Sequence, residues 1–354
     1  MHYIQPRPSS IVAALYTARD LGVDVAVLHG PSGCSFKHAR LLEEDGMRVL
    51  TTSLADNEFI FGGQEALERV LRYAEENFSP HRIAVVGTCV AMIIGEDLPS
   101  AIRDSGITTP AIAIDIHAGY RENIEGVIAT LEPAAAAGWI SEDELARQRH
   151  LLAKANEVER LRGAACKTYI EPSRGDLKHV AAGRLLELAR SGARGVAIMN
   201  AKKETAYMFA DELVALHDAC PEADVTYIAN LEDRGLPKVR EDGARILAGM
   251  QGRGVDPELL GALDEYGANG TAIGERLRAL SPDYALIVGV PHAVPPEYTE
   301  GIEVISITNG PRQVEPLRDI GHAHVVVEVD LHPKTLGVRE IVESEFGAVL
   351  RSLV

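Results

Sequence analysis

Strands alternating with helices along most of the chain predict an α/β fold of two to three Rossmann-like units with doubly wound parallel sheets. Three observations carry this. Apolar runs of five or six residues recur at 23–28, 111–116, 195–199 and 284–288, with shorter ones at 83–86 and 304–307. Helical patterns lie between many of them, as parallel connections require. Two of the runs end in a Gly-containing turn that passes into a helical pattern, the kind of turn where such folds bind ligands.

In order, a helix is expected over 11–21, a strand over 23–28, a helix after Cys34 and a short strand over 47–52. The segment 63–78 places Ala66, Leu67, Val70, Leu71 and Ala74 on one helical face. A strand over 83–86 leads to a helix after Cys89, and a strand over 111–116 runs into His117-Ala118-Gly119. A charged, Ala-rich helical segment from about 124 to 162, interrupted near Gly138-Trp139, reads as a surface connector. A second unit holds helices over 177–191 and 205–217 and strands over 195–199 and 225–229. The Gly-rich stretch 249–261 suggests a boundary. Beyond it come strands at 284–288, 304–307 and 324–329 and a helix over 338–353; Gly270 to Gly274 reads as helix packing. The expected domains are 1–135, a connector at 136–174, a second α/β domain at 175–255 and a third unit at 256–354.

The 354 residues suffice for several cores, and 46% hydrophobic content is ordinary for a globular protein. No apolar run is long enough to span a bilayer and the first residues do not resemble a signal peptide, so a cytoplasmic protein is expected. A net charge of −17 argues against nucleic acid and anionic membranes as partners. The absence of any Gly-Lys dipeptide excludes a Walker A loop, so if ATP drives the chemistry of this protein, another chain hydrolyses it.

Four cysteines in this length do not form a disulfide framework. Cys34 and Cys89 each lie at the mouth of a strand-to-helix turn, and strands of one parallel sheet would bring those turns to a shared edge. A helix start eases thiol ionisation, and the thiolate binds metal. Gly33 and Gly87 beside them would admit the backbone close to a bulky cluster. Two thiols cannot complete a four-cysteine iron–sulfur site, but a symmetric dimer supplies four. Free cysteine is also a common small buried side chain, and that reading stays open at this level. Cys166 and Cys220 lack a partner at metal-ligand spacing and are expected to be inert. Asp115 and His117, at a strand end, are candidates for acid–base work or for structural capping. Lys202 and Lys203 follow a strand and would meet acidic groups or solvent. His322, His324 and His332 form a weaker metal candidate, with solvated or bonded histidines the commoner case.

The first region resembles component 1 of the nitrogenase-like reductases. The resemblance rests on His29-Gly30-Pro31-Ser32-Gly33-Cys34, Thr51-Thr52, Phe61-Gly62-Gly63, Thr88-Cys89 and Ile94-Gly95-Glu96-Asp97, with His117-Ala118-Gly119-Tyr120 beyond, over roughly 20 to 130. It implies that Cys34 and Cys89 hold an intersubunit iron–sulfur cluster. Larger members carry a further cluster cysteine upstream; here none precedes Cys34, and the region reads Arg7-Pro8-Ser9-Ser10. A homodimer sharing one [4Fe-4S] cluster is then the simplest count. No match to the ligands of nitrogenase's catalytic metal cofactor is found, so dinitrogen reduction is not expected. The short chain and two-cysteine pattern resemble the Ni-sirohydrochlorin a,c-diamide reductive cyclase branch. That implies six-electron reduction and γ-lactam closure on a nickel tetrapyrrole, in making the methanogen nickel coenzyme factor 430. A separate ATP-hydrolysing iron–sulfur protein resembling nitrogenase reductase would supply the electrons. The alternatives are another nitrogenase-like tetrapyrrole reductase component, a non-catalytic metallocofactor scaffold, or a small-molecule binding protein with inert cysteines.

Overall fold

The computed structural model describes residues 9–34, 36–116, 124–164, 170–328 and 336–354. Two compact units are present, one built on 7–149 with 236–238, the other on 150–235 and 239–354.

In the first, α1 (Ser10–Asp20), β1 (Val25–His29), α2 (Phe36–Glu44), β2 (Arg48–Thr51), α3 (Asp56–Phe61), α4 (Gln64–Phe78), β3 (Ile83–Gly87), α5 (Cys89–Ile94), α6 (Leu98–Ser105), β4 (Ala111–Asp115) and α7 (Ile124–Ala136) follow one another. The strands form a parallel sheet in the order β2-β1-β3-β4. β1 and β3 are buried along their whole length, which is why they read as unbroken apolar runs. Leu67, Leu71 and Ala74 of α4 and Leu98 and Ala101 of α6 pack with Val25, Val27, Ile83 and Val85 as one core. Gly126 lets α7 close on α1, since a Cβ there would lie 2.4 Å from the Ser10 carbonyl oxygen.

The helical segment expected from about 124 to 162 is two helices, α7 and α8 (Glu142–Leu161); Gly138, at φ +71°, lies in the break. The second unit contains α9 (Lys178–Arg190), β5 (Gly195–Asn200), α10 (Ala206–Ala219), β6 (Val225–Ala229), α11 (Pro237–Gln251), β7 (Glu258–Leu259), α12 (Gly270–Leu280), β8 (Tyr284–Gly289), β9 (Glu303–Thr308), α13 (Val314–Asp319), β10 (His324–Val327) and α14 (Glu345–Ser352). One parallel sheet runs β10-β9-β8-β5-β6-β7. Because β8 pairs with β5, the strands on both sides of the Gly-rich stretch 249–261 share a sheet, and that stretch itself carries the edge strand β7. Gly270 and Gly274 serve packing: a Cβ would fall 1.8 Å from the Ala293 carbonyl oxygen at the first and 2.3 Å from the Tyr298 ring at the second.

The last helix is shorter than its periodicity suggests. It begins at Glu345 because Ser344 caps it, accepting from the Gly347 N–H at 2.9 Å. The preceding residues are tied to α10 instead, through Val342 N–H to the Tyr207 carbonyl and Ser344 N–H to Asp211. His322 is 4% exposed, and its Nδ1 lies 2.6 Å from the Ser306 hydroxyl. Burial, with His292 nearby, lowers its pKa to about 4.

Two outcomes are expected. Leu71→Ala should destabilise the first unit by about 2–5 kcal/mol, through lost burial plus a cavity, read by denaturant unfolding. His322 stays neutral when folded and takes a proton more readily when unfolded. Its contribution to stability is therefore present above pH 6.5 and is lost progressively as pH falls from 6.5 towards 4. His322→Gln should show a shallower acid decline than the parent in unfolding curves across that window.

Candidate metal centre

The parallel register sets up the site. β1 pairs with β3 up to His29↔Gly87, and β3 with β4 up to Gly87↔Asp115, so these three residues stand in a row at the carboxyl edge. Cys34 follows β1 by five residues in a turn closed by its N–H to the Pro31 carbonyl at 3.1 Å. Cys89 follows β3 directly and opens α5. Both thiols are half-buried. They are close enough for one to act on the other: burial first, then the Cys89 thiol, pushes the Cys34 thiol above its usual range. Burial and the second thiol thus outweigh whatever the nearby helix start contributes at Cys34.

The two cysteine loops are locked to each other. The Thr88 N–H and hydroxyl both donate to the His29 carbonyl, at 3.1 and 3.0 Å. Gly30 permits this, because a Cβ there would sit 2.2 Å from Thr88 Oγ1. The buried His29 ring places Nδ1 3.2 Å from the Thr52 hydroxyl and Nε2 3.3 Å from Glu96 Oε2. Burial lowers the His29 pKa against the opposing pull of Glu96. Glu96 Oε1 accepts the Gly63 N–H at 2.6 Å. Gly62 takes φ +92°, and a Cβ on Gly63 would lie 2.7 Å from Leu54 and 3.1 Å from the His29 ring. The segment after α5 divides its labour. Gly95 ends the helix at φ +76°, Glu96 reaches the loops, and Asp97 caps α6 by accepting the Ser100 N–H at 2.9 Å.

The other expected residues separate. Gly87 has a packing reason, since a Cβ would lie 2.7 Å from Leu98, whereas space beside Gly33 is open to 4 Å. Asp115 is exposed; desolvation and the nearby Asp97 raise its pKa. His117, Cys166 and His332 lie outside the described residues. In the second unit Cys220 is buried, Lys202 reaches Glu159 at 3.2 Å, and His324 Nδ1 lies 3.8 Å from Asp176. Among the described residues no group of three or more His, Cys, Asp or Glu side chains is arranged to hold a metal ion. His29, Thr52 and Glu96 lie in segments that sequence reading singled out, but their mutual contact joins positions up to 67 apart and is not visible in spacing.

A nitrogenase component 1 type oxidoreductase family model matches residues 10–136, the first unit almost entire. Over the whole length, the chain is 52% identical to a protein of Methanosarcina acetivorans across 99% of this chain and 97% of the relative. That relative is named Ni-sirohydrochlorin a,c-diamide reductive cyclase complex, component CfbD. The chain belongs to the CfbD family. Relatives of the same name from Methanothermobacter thermautotrophicus and Methanocaldococcus jannaschii are 48% and 42% identical, each over 98% of this chain and 98% and 97% of their own lengths. No described helix is long and apolar enough to cross a membrane.

Gly30→Ala should force Thr88 away from the His29 carbonyl. The expected cost is about 1–3 kcal/mol in unfolding measurements, with faster reaction of Cys89 towards a thiol reagent as the loops part.

Proposed function

We propose that this chain is the catalytic component of a nickel-tetrapyrrole reductive cyclase, acting on Ni-sirohydrochlorin a,c-diamide by six-electron reduction and γ-lactam closure towards factor 430. The observation that carries this is full-length identity of 52% to a relative bearing that name, with both cysteine turns inside the matched family region. The first unit is then the cluster-binding domain. Cys34 and Cys89 supply two thiolates, and the same pair from a second copy completes a four-thiolate set for a shared [4Fe-4S] cluster.

The donor set fits that group. Two soft, half-buried thiols share one sheet edge, and the space beside Gly33 is open. The segments that follow β1, β2 and β3 also expose large apolar side chains: Phe36 on α2, Phe59, Ile60 and Phe61 on α3, and Met92 and Ile93 on α5. Phe61 is 84% and Ile93 76% exposed, a cost in water that a second copy seated over the thiols removes. When bound, the cluster supplies single-electron relay at low potential. The Pro31 turn and the lock between Thr88 and His29 hold its thiolates in place. Asp115, the last residue of β4, is the candidate proton carrier of this edge, and His117, two positions on in the sequence, is a second candidate. Electrons come from a CfbC-like iron–sulfur partner that hydrolyses ATP, which fits a chain without a Walker A loop.

Iron and acid-labile sulfide in anaerobically purified protein test the reading, with mass in solution. About two irons per chain in a dimer are expected. Cys34→Ser and Cys89→Ser should each lose the iron and γ-lactam formation with reductase and ATP, whereas Cys166→Ser and Cys220→Ser keep both. Full iron in Cys34→Ser would defeat the ligand assignment.

A further inference from the structure

We infer that Glu96 is a positioning residue for the cluster: its buried carboxylate clamps the loops that carry Cys34 and Cys89 and holds the cluster's reduction potential low as a fixed negative charge. The inference deepens the cluster reading above and rests on it.

Three strands' worth of loops meet on this one side chain. Oε2 faces His29, where β1 gives way to the Cys34 turn, and Oε1 takes the Gly63 N–H at the start of α4. Glu96 itself ends the short segment opened by Cys89; its N–H returns to the Ala91 carbonyl at 3.0 Å, so the chain folds back after α5. His29 in turn holds Thr52 at the end of β2 and receives Thr88 on its carbonyl. A group that fastens both cysteine loops also fixes the distance between their thiols.

The Glu96 side chain is 6% exposed and His29 is 0% exposed, so little water screens the carboxylate. A neutral imidazole beside it can only donate to the carboxylate and carries no charge to cancel it. Asp97 and Asp115, at the same edge, are more exposed to water than the Glu96 side chain. A buried negative charge held among the loops that carry the cluster's thiolates opposes the entry of an electron, since net charge and solvent exposure are main determinants of such potentials. Gly62 takes φ +92° where the chain turns to offer the Gly63 N–H to Oε1.

The experiment is a mediated potentiometric titration of the iron-loaded dimer with dithionite, followed by electron paramagnetic resonance, with iron counted in every sample. Glu96→Gln should keep the iron but shift the midpoint to a more positive potential. His29→Gln, which leaves the carboxylate in place, should keep iron and stay near the parent midpoint. Should Glu96→Gln alone not accumulate, the double variant His29→Gln with Glu96→Gln, whose two amides can bond each other, is expected to show the same positive shift. An unchanged midpoint in iron-loaded Glu96→Gln overturns the inference. Equal shifts in Glu96→Gln and His29→Gln overturn the charge assignment. An iron-free parent chain overturns the cluster reading itself, and this inference with it.

Discussion

The parallel pairing of β1 with β3 is the constraint on which the first unit depends. Its register ends with His29 opposite Gly87, so the turns that leave the two strands start side by side. Cys34 and Cys89, 55 positions apart in sequence, become neighbours for that reason alone. Apolar burial fixes the register: a slip by one residue would turn Val25 and Val27 away from Leu67 and Leu71 and break the core. The site's geometry is thus held by the same contacts that stabilise the fold, and the loops need only local bonds to finish it.

Those local bonds are short polar contacts packed into tight backbone space. Thr88 fills the place that a side chain on Gly30 would take, and Glu96 joins the Gly63 N–H to the His29 ring. Glycine is used here for close approach, and the segment from Gly95 to Asp97 for a helix stop, a clamp and a helix start in succession. The apolar residues around this edge follow a different logic. Phe59 to Phe61, Met92 and Ile93 gain nothing in water, and they lie on segments that follow β2 and β3 at the same sheet edge as the thiols.

The second unit follows the same architecture with other contents at its strand ends. Lys202, following β5, is neutralised by Glu159, and His322 is sealed beside Ser306. The lysine turn that sequence reading held open for acidic groups is engaged within the fold, and the histidines at 322 and 324 have separate partners. Charged and titratable residue types at a strand end are therefore not enough to mark a site. Exposure, and freedom from an internal partner of opposite charge, have to be seen in three dimensions.

The main strands, the parallel class, the two cysteine turns and the nitrogenase component 1 character were determined by the sequence itself. They follow from local periodicity and from motifs within a few residues, which need no knowledge of distant partners. The start of α14 was not legible, because a capping serine and tethers to α10 overrode a helical pattern. Nor was the sharing of one sheet by the later strands, since pairing of β5 with β8 joins residues about 90 apart. The contact of His29 with Glu96 and the rise in the Cys34 pKa beside Cys89 also belong to tertiary structure alone. Burial and proximity arise only when the strands are laid side by side, and those two quantities decide what a histidine, a carboxylate or a thiol can do.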